Sequence, residues 1–193
     1  MQGIFPILAY TFAMSISPGP ANIMSAGYGV KIGFFKAQSF VLGATIGFIA
    51  LTLAMGFGLK ELATLVPWFM SLLTMTGGLY LIVLGLKLFR SEGEISLSGN
   101  GKAGFIKGVL LQWLNPKAWI GAVLGVSLFG SQSLQDLFVF SAIYFVVCWA
   151  SLSVWSYAGD RIAMLLASKK QEMIFNYFLG LSLVITGIYV LVR

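Results

Sequence analysis

Polar groups suited to holding a small solute are concentrated at two points of this sequence, Ser17-Pro18-Gly19-Pro20-Ala21-Asn22 and Asn115-Pro116-Lys117, each inside a long apolar run. Proline lacks an N–H and its ring clashes with the preceding turn, at about 3 kcal/mol in a helix interior. Each motif therefore reads as a helix that ends and restarts. The residue ahead of the first proline in each, Ser17 or Asn115, is a good N-cap, and proline suits the first position of a new helix. A restarted helix offers its positive N-terminal end to a carboxylate. The interrupted upstream half offers carbonyls that suit an ammonium group. Ser17, Asn22 and Asn115 add neutral hydrogen-bonding groups and Lys117 adds a charge. A free amino acid carries both charges that such a site would take.

The candidate substrate-binding residues are Ser17, Pro18, Gly19, Pro20, Asn22, Gln112, Asn115, Pro116 and Lys117. Gln112, Trp113 and Trp119 flank the second motif, where packing is the competing use of each. Two plainer readings stand beside this one: prolines that only kink packed helices, and a lysine that only caps a helix end. Enzymatic chemistry is poorly supplied. The chain has no histidine and Cys148 is its single cysteine, which excludes His-based triads, HExxH zinc sites and an intrachain disulfide. No metal or cofactor is expected. With no deep carboxylate pair, an intramembrane enzyme is the weaker alternative to transport; a passive channel or a small structural membrane protein is the stronger.

The elements that must position these motifs are helices in a bilayer. Of 193 residues, 59% are hydrophobic and 9% charged, with a mean hydropathy of +0.93, far more apolar than a soluble globule. Runs near the length of a hydrocarbon core recur at roughly Ile4 to Tyr28, Phe40 to Leu59, Val66 to Phe89, Gly108 to Phe129, Leu137 to Ala158 and Ile174 to Val192, which predicts six transmembrane helices in an all-α fold. Lys117 lies ten residues beyond Lys107, about 15 Å of helical rise and near the bilayer centre. A lysine there costs roughly 2.5 to 3.5 kcal/mol on insertion scales and needs a cavity and a partner: backbone carbonyls, Asp160, or a bound anion.

The net charge of +6 does not point to nucleic acid. Lys31, Lys36, Lys87, Arg90, Lys102, Lys107, Arg161, Lys169 and Lys170 fall in loops on one side of six alternating spans, and only Lys60 and Arg193 fall on the other. By the positive-inside rule both termini face outward and the basic loops face the cytoplasm. The N-terminus has no basic n-region, so the first span is expected to be retained.

Ser91 to Gly104 is Gly- and Ser-rich and divides the chain into a first three-helix repeat, 1–90, a cytoplasmic linker, 91–104, and a second three-helix repeat, 105–193. The third and sixth spans resemble each other, Gly78-Leu79-Tyr80-Leu81-Ile82-Val83-Leu84-Gly85 against Gly180-Leu181-Ser182-Leu183-Val184-Ile185-Thr186-Gly187. The first and fourth each carry a proline break. An odd number of spans per half inverts the second half, so helices 1 and 4, broken, would meet near the midplane. Gly43-xxx-Gly47 and Gly121-xxx-Gly125 permit close helix approach, within the chain or in a homo-oligomer.

At these motifs the sequence resembles the LysE/RhtB family of amino-acid exporters, through Ser17-Pro18-Gly19-Pro20-Ala21-Asn22, Leu114-Asn115-Pro116-Lys117-Ala118-Trp119, and Gly78-Leu79-Tyr80-Leu81 with Gly85. The likeness spans nearly the whole chain. It implies an inner-membrane efflux protein for amino acids, driven by the proton gradient. One position departs from the pattern: after Gly43-Ala44-Thr45-Ile46-Gly47, where many members carry an acid, this chain has Phe48. Without that carboxylate, neutral amino acids are favoured over lysine or arginine, and proton coupling through this position is in doubt.

Overall fold

The computed structural model describes residues 3–59, 67–90, 101–130, 133–166 and 168–192. Among them every regular element is a helix: α1 (Ile4–Ile16), α2 (Pro20–Ile32), α3 (Phe34–Ala54), α4 (Pro67–Arg90), α5 (Gly101–Trp113), α6 (Pro116–Gly125), α7 (Leu134–Leu165) and α8 (Lys169–Val192). Wide π turns at Met55–Leu59 and Val126–Gly130 prolong α3 and α6. Most of the expected linker, residues 91–100, lies outside the described residues, while Gly101 to Gly104 already belong to α5. The span read from Ile4 to Tyr28 is split into α1 and α2, and the span from Gly108 to Phe129 is part of the split pair α5 and α6.

Among the described residues, three helices are long and apolar enough to cross a membrane: Phe34–Gly58, Leu134–Leu165 and Lys169–Val192. Three shorter apolar helices accompany them, Ile4–Ile16, Thr74–Phe89 and Pro116–Gly130. A bare hydrocarbon core needs about twenty helical residues. The 13 residues of α1 fall short alone, so the break makes α1 dependent on α2. Between α2 and α3 only Gly33 intervenes, at φ 78 and ψ 162, a backbone region that side chains disfavour. Its N–H still reaches the Gly29 carbonyl at 3.0 Å and its carbonyl accepts from Ala37 at 3.1 Å, so the turn leaves neither group unpaired.

Close packing is set by glycine. Gly43 of α3 lies against the Phe105 carbonyl of α5, and Gly108 answers against the Phe40 carbonyl, so a methyl at either would collide with backbone. Gly29 of α2 and Gly159 of α7 meet the carbonyls of Ser156 and Ala26 in the same way. The α4 and α8 helices pack mostly on each other through two crossed pairs. A Cβ built on Gly85 would lie 2.6 Å from the Gly180 carbonyl oxygen and one on Gly180 2.7 Å from that of Gly85. The corresponding values for Gly78 and Gly187 are 3.0 and 2.7 Å.

Phe40, Leu51, Leu111, Leu137 and Leu183 are buried, with Tyr28 stacked on Phe40 at 4.5 Å. The outer surface is also apolar: Phe5, Phe35, Trp68, Phe178 and Val192 are largely exposed. A protein apolar on both faces belongs in lipid. Thr45 and Thr52 donate back to the Val41 and Phe48 carbonyls at 2.9 Å each, which hides their hydroxyls within α3.

Candidate functional site

The site is built around the broken end of α1. Proline 18 forces Ser17 out of the helical region, to φ −62 and ψ 139, because a residue ahead of proline avoids α geometry. Pro20 does the same to Gly19, which is fully extended at φ −172 and ψ 175. The new helix therefore starts at Pro20 and not at Pro18. This corrects the expected role of Ser17: it is the C-cap of α1, and the N-cap of α2 is Gly19, which makes no side-chain cap bond. Asn115 does cap α6 as its sequence position requires, its Oδ1 accepting from the Lys117 N–H at 3.1 Å.

Unpaired carbonyls cost several kcal/mol each in a low-dielectric interior, and the α1 end leaves none unpaired. The Ala13 carbonyl accepts from the Ser17 N–H at 3.3 Å and that of Met14 from the Ser17 hydroxyl at 3.3 Å. Asn22 Nδ2 donates to Ser15 at 2.8 Å and Trp155 Nε1 to Ile16 at 3.0 Å. Lys117 Nζ donates to the Ser17 carbonyl at 2.6 Å, the Ser17 hydroxyl at 2.9 Å and the Pro18 carbonyl at 3.3 Å. The carbonyls expected to receive a substrate ammonium are thus already paired with the protein's own donors. At the α5 end the Leu110, Gln112 and Trp113 carbonyls accept from Leu114 N, Asn115 N and Trp119 Nε1 at 3.0, 3.2 and 2.7 Å. Of the partners considered for Lys117, backbone carbonyls are the ones it has. A second tie joins α1 to α6, Tyr10 donating to the Gly121 carbonyl at 2.8 Å.

A cavity opens where the two breaks meet. Its volume is about 40 Å³. Asn22, Gln112, Asn115 and Lys117 line it. Ser17, Pro18, Gly19, Pro20 and Pro116 do not; they shape the two breaks behind it. Asn115 Nδ2 donates to Gln112 Oε1 at 3.3 Å, orienting both amides. Trp113 and Trp119 pack on each other edge to face at 6.2 Å.

Sequence reasoning missed Met14, Ser15, Tyr144, Cys148 and Leu152, which line the same cavity. Tyr144, Cys148 and Leu152 recur every four residues on one face of α7, a periodicity that marks a facing stripe without saying what it faces. Phe48 is also in the wall, its ring 4.5 Å from that of Tyr144. No cluster of His, Cys, Asp and Glu fit to hold a metal occurs among the described residues.

The profile of the LysE type translocator family matches residues 12–193. The chain is 24% identical over 178 residues to a cysteine/O-acetylserine efflux protein of Escherichia coli O157:H7, covering 91% of this chain and 90% of that one. It is 26% identical over 128 residues to the protein of that name from Salmonella typhimurium, where the match covers 66% of each chain, just under two thirds of the relative's length. No solved structure matches it. With the match running from the last turns of α1 onward, through both proline breaks, the chain belongs to the LysE type translocator family.

Proposed function

We propose that the protein exports small neutral amino acids across the inner membrane as a secondary-active transporter, binding its substrate in the cavity between the two broken helices and coupling export to the proton gradient. The observation that carries this reading is the composition of that cavity. It gathers a lysine, three amides and no acid, so it presents a net positive field to a carboxylate and hydrogen-bonding oxygens to an ammonium. Asn22 Oδ1, Gln112 Oε1 and the ring faces of Tyr144 and Phe48 take the ammonium, since the α1 carbonyls are spoken for. Phe48 in the wall leaves no counter-ion for a cationic side chain, which favours neutral substrates. The relatives named cysteine/O-acetylserine efflux proteins carry, by that name, solutes of this class.

The architecture is read as six spans in two inverted three-helix repeats, α1 with α2, α3 and α4, then α5 with α6, α7 and α8. The crossed glycine pairs support it. If Gly78 corresponds to Gly180 and Gly85 to Gly187, the contact of Gly78 with Gly187 maps onto that of Gly180 with Gly85, as a two-fold axis requires. The charge bias supports an orientation with both termini outside and the residue 91–104 linker in the cytoplasm. Counterflow in proteoliposomes with labelled amino acids tests the function: saturable exchange of neutral species is expected, and unsaturable leak of all of them would favour a passive pore.

A further inference from the structure

We infer that the substrate leaves the cavity outward through a closed aromatic seal made by Tyr10, Phe48, Phe129, Phe140 and Tyr144, in which Phe140 is the side chain that shuts the way. The inference rests on the transport reading given above and adds which end of the cavity must open.

Four elements run from the cavity toward one end of the bundle. On α7 the stripe of Leu152, Cys148 and Tyr144 in the cavity wall continues one turn back to Phe140, and α1 runs back from Met14 to Tyr10. On α6 the path goes from Ala118 through Gly121 and Gly125 to Phe129 in the π turn, and α3 supplies Phe48. This is the end where α1 and α7 begin, outside by the charge bias. Phe140 stands at the middle of the cluster, its ring 5.4 Å from Tyr144, 5.7 Å from Phe129 and 6.4 Å from Tyr10. Tyr10 lies 5.5 Å from Phe129 and Phe48 4.5 Å from Tyr144. Phe140, Tyr144 and Phe48 are 0, 3 and 4% exposed, so the end is shut. One turn further out, buried Leu137 lies against Gly56 and Gly130 and backs the rings.

The α6 helix is bare where the rings dock. A Cβ on Gly125 would stand 2.5 Å from Phe140 Cζ and 3.1 Å from Tyr10 Cε1, and one on Gly121 3.5 Å from the Tyr144 hydroxyl. Two features set this cluster apart from plain packing. Phe48 and Tyr144 belong both to it and to the cavity wall, so an occupant of the cavity touches the inner face of the rings that close it. The break end of the cavity is fastened by hydrogen bonds from three helices. Phe48, Phe129 and Phe140, each on a different element, hold only by dispersion and ring-edge contacts and can part without stranding a polar group.

The test puts one thiol in the cavity wall, Ala118→Cys in a Cys148→Ser background, and follows its reaction with an impermeant sulfonate methanethiosulfonate in intact cells and in inside-out vesicles. With the rings intact the thiol is expected to react slowly from outside. Phe140→Ala combined with Leu137→Ala should speed that reaction about tenfold or more, because the closed state loses the contacts of two buried side chains, and should leave the rate in inside-out vesicles nearly unchanged. A gain confined to inside-out vesicles keeps the seal and overturns its outward placing. No gain from either side, in protein that still melts cooperatively, overturns the seal. A lock probes the same end without making a hole. Tyr10→Cys with Phe129→Cys, also in Cys148→Ser, joined by a short bis-methanethiosulfonate, should lose counterflow of labelled amino acid and regain it on reduction. Counterflow that persists in the cross-linked protein overturns the exit route. A wild type without counterflow of any amino acid overturns the transport reading instead, while the access rates still report the seal.

Discussion

Lys117 Nζ stands 2.6 Å from the carbonyl oxygen of Ser17, a hundred residues earlier in the chain. One ammonium from the second helix break thereby closes the C-terminal end of the first. Its three donors meet three acceptors on Ser17 and Pro18, so the cost of a lysine at this depth is offset by carbonyls that needed a donor. The hydrogen bonds of Lys117 thus serve the helix end, and the same side chain lines the cavity proposed to hold the substrate.

Lys117→Met should show both parts. The unpaired Ser17 and Pro18 carbonyls are expected to cost about 1 to 3 kcal/mol each, read as a lower melting temperature. Acid binding should weaken by roughly 1.5 to 3 kcal/mol, with much less effect on the corresponding amide. Equal losses for acid and amide would reduce Lys117 to a cap.

Phe48→Glu places a carboxylate in the cavity wall. Counterflow of labelled lysine is expected to rise above the wild-type level, and flux of neutral amino acids to fall, because the new charge attracts a cationic side chain and competes for Lys117. A well-folded variant with unaltered selectivity would remove Phe48 from the selectivity argument.

Gly180→Val pushes methyl groups into the Gly85 carbonyl across the α4 and α8 contact. Overpacking of this kind costs about 1 to 3 kcal/mol, and the larger end is expected because the obstacle is backbone. The same change at Leu181, whose side chain is exposed, should move the melting temperature little. Similar behaviour at both positions would contradict the close crossing.

Topology is open to labelling. In a Cys148→Ser background, a cysteine at Asn100 should resist an impermeant maleimide in intact cells and react once they are permeabilised. Reaction in intact cells would reverse the proposed orientation and place the linker outside.

The helix breaks were legible because proline has local consequences that no packing can undo. Their exact restart was less so: Ser17 looks like a cap when only Pro18 is weighed, and the second pre-proline residue, Gly19, moves the start of α2 to Pro20. The α4 and α8 glycines were visible as a repeated spacing, but spacing alone does not say that each faces the other's carbonyl. Ser15, Tyr144 and Cys148 were not found, since a small polar residue on a helix face looks the same whether it meets a neighbour or a cavity. That distinction belongs to tertiary apposition, which sequence periodicity does not encode.

The closed carbonyl account at the end of α1 also constrains how the molecule can move. Its partners come from three other helices, Asn22 on α2, Lys117 on α6 and Trp155 on α7, and Tyr10 adds a further tie to α6. Sliding any one of them would cost an acceptor at the end of α1 its donor. These four pieces are thereby tied to one another, whereas Gly33, with its positive φ, and the π turns at Met55–Leu59 and Val126–Gly130 lie outside that set of ties. In mechanical terms the first proline break is a rivet joining four helices, not a loose point in the chain.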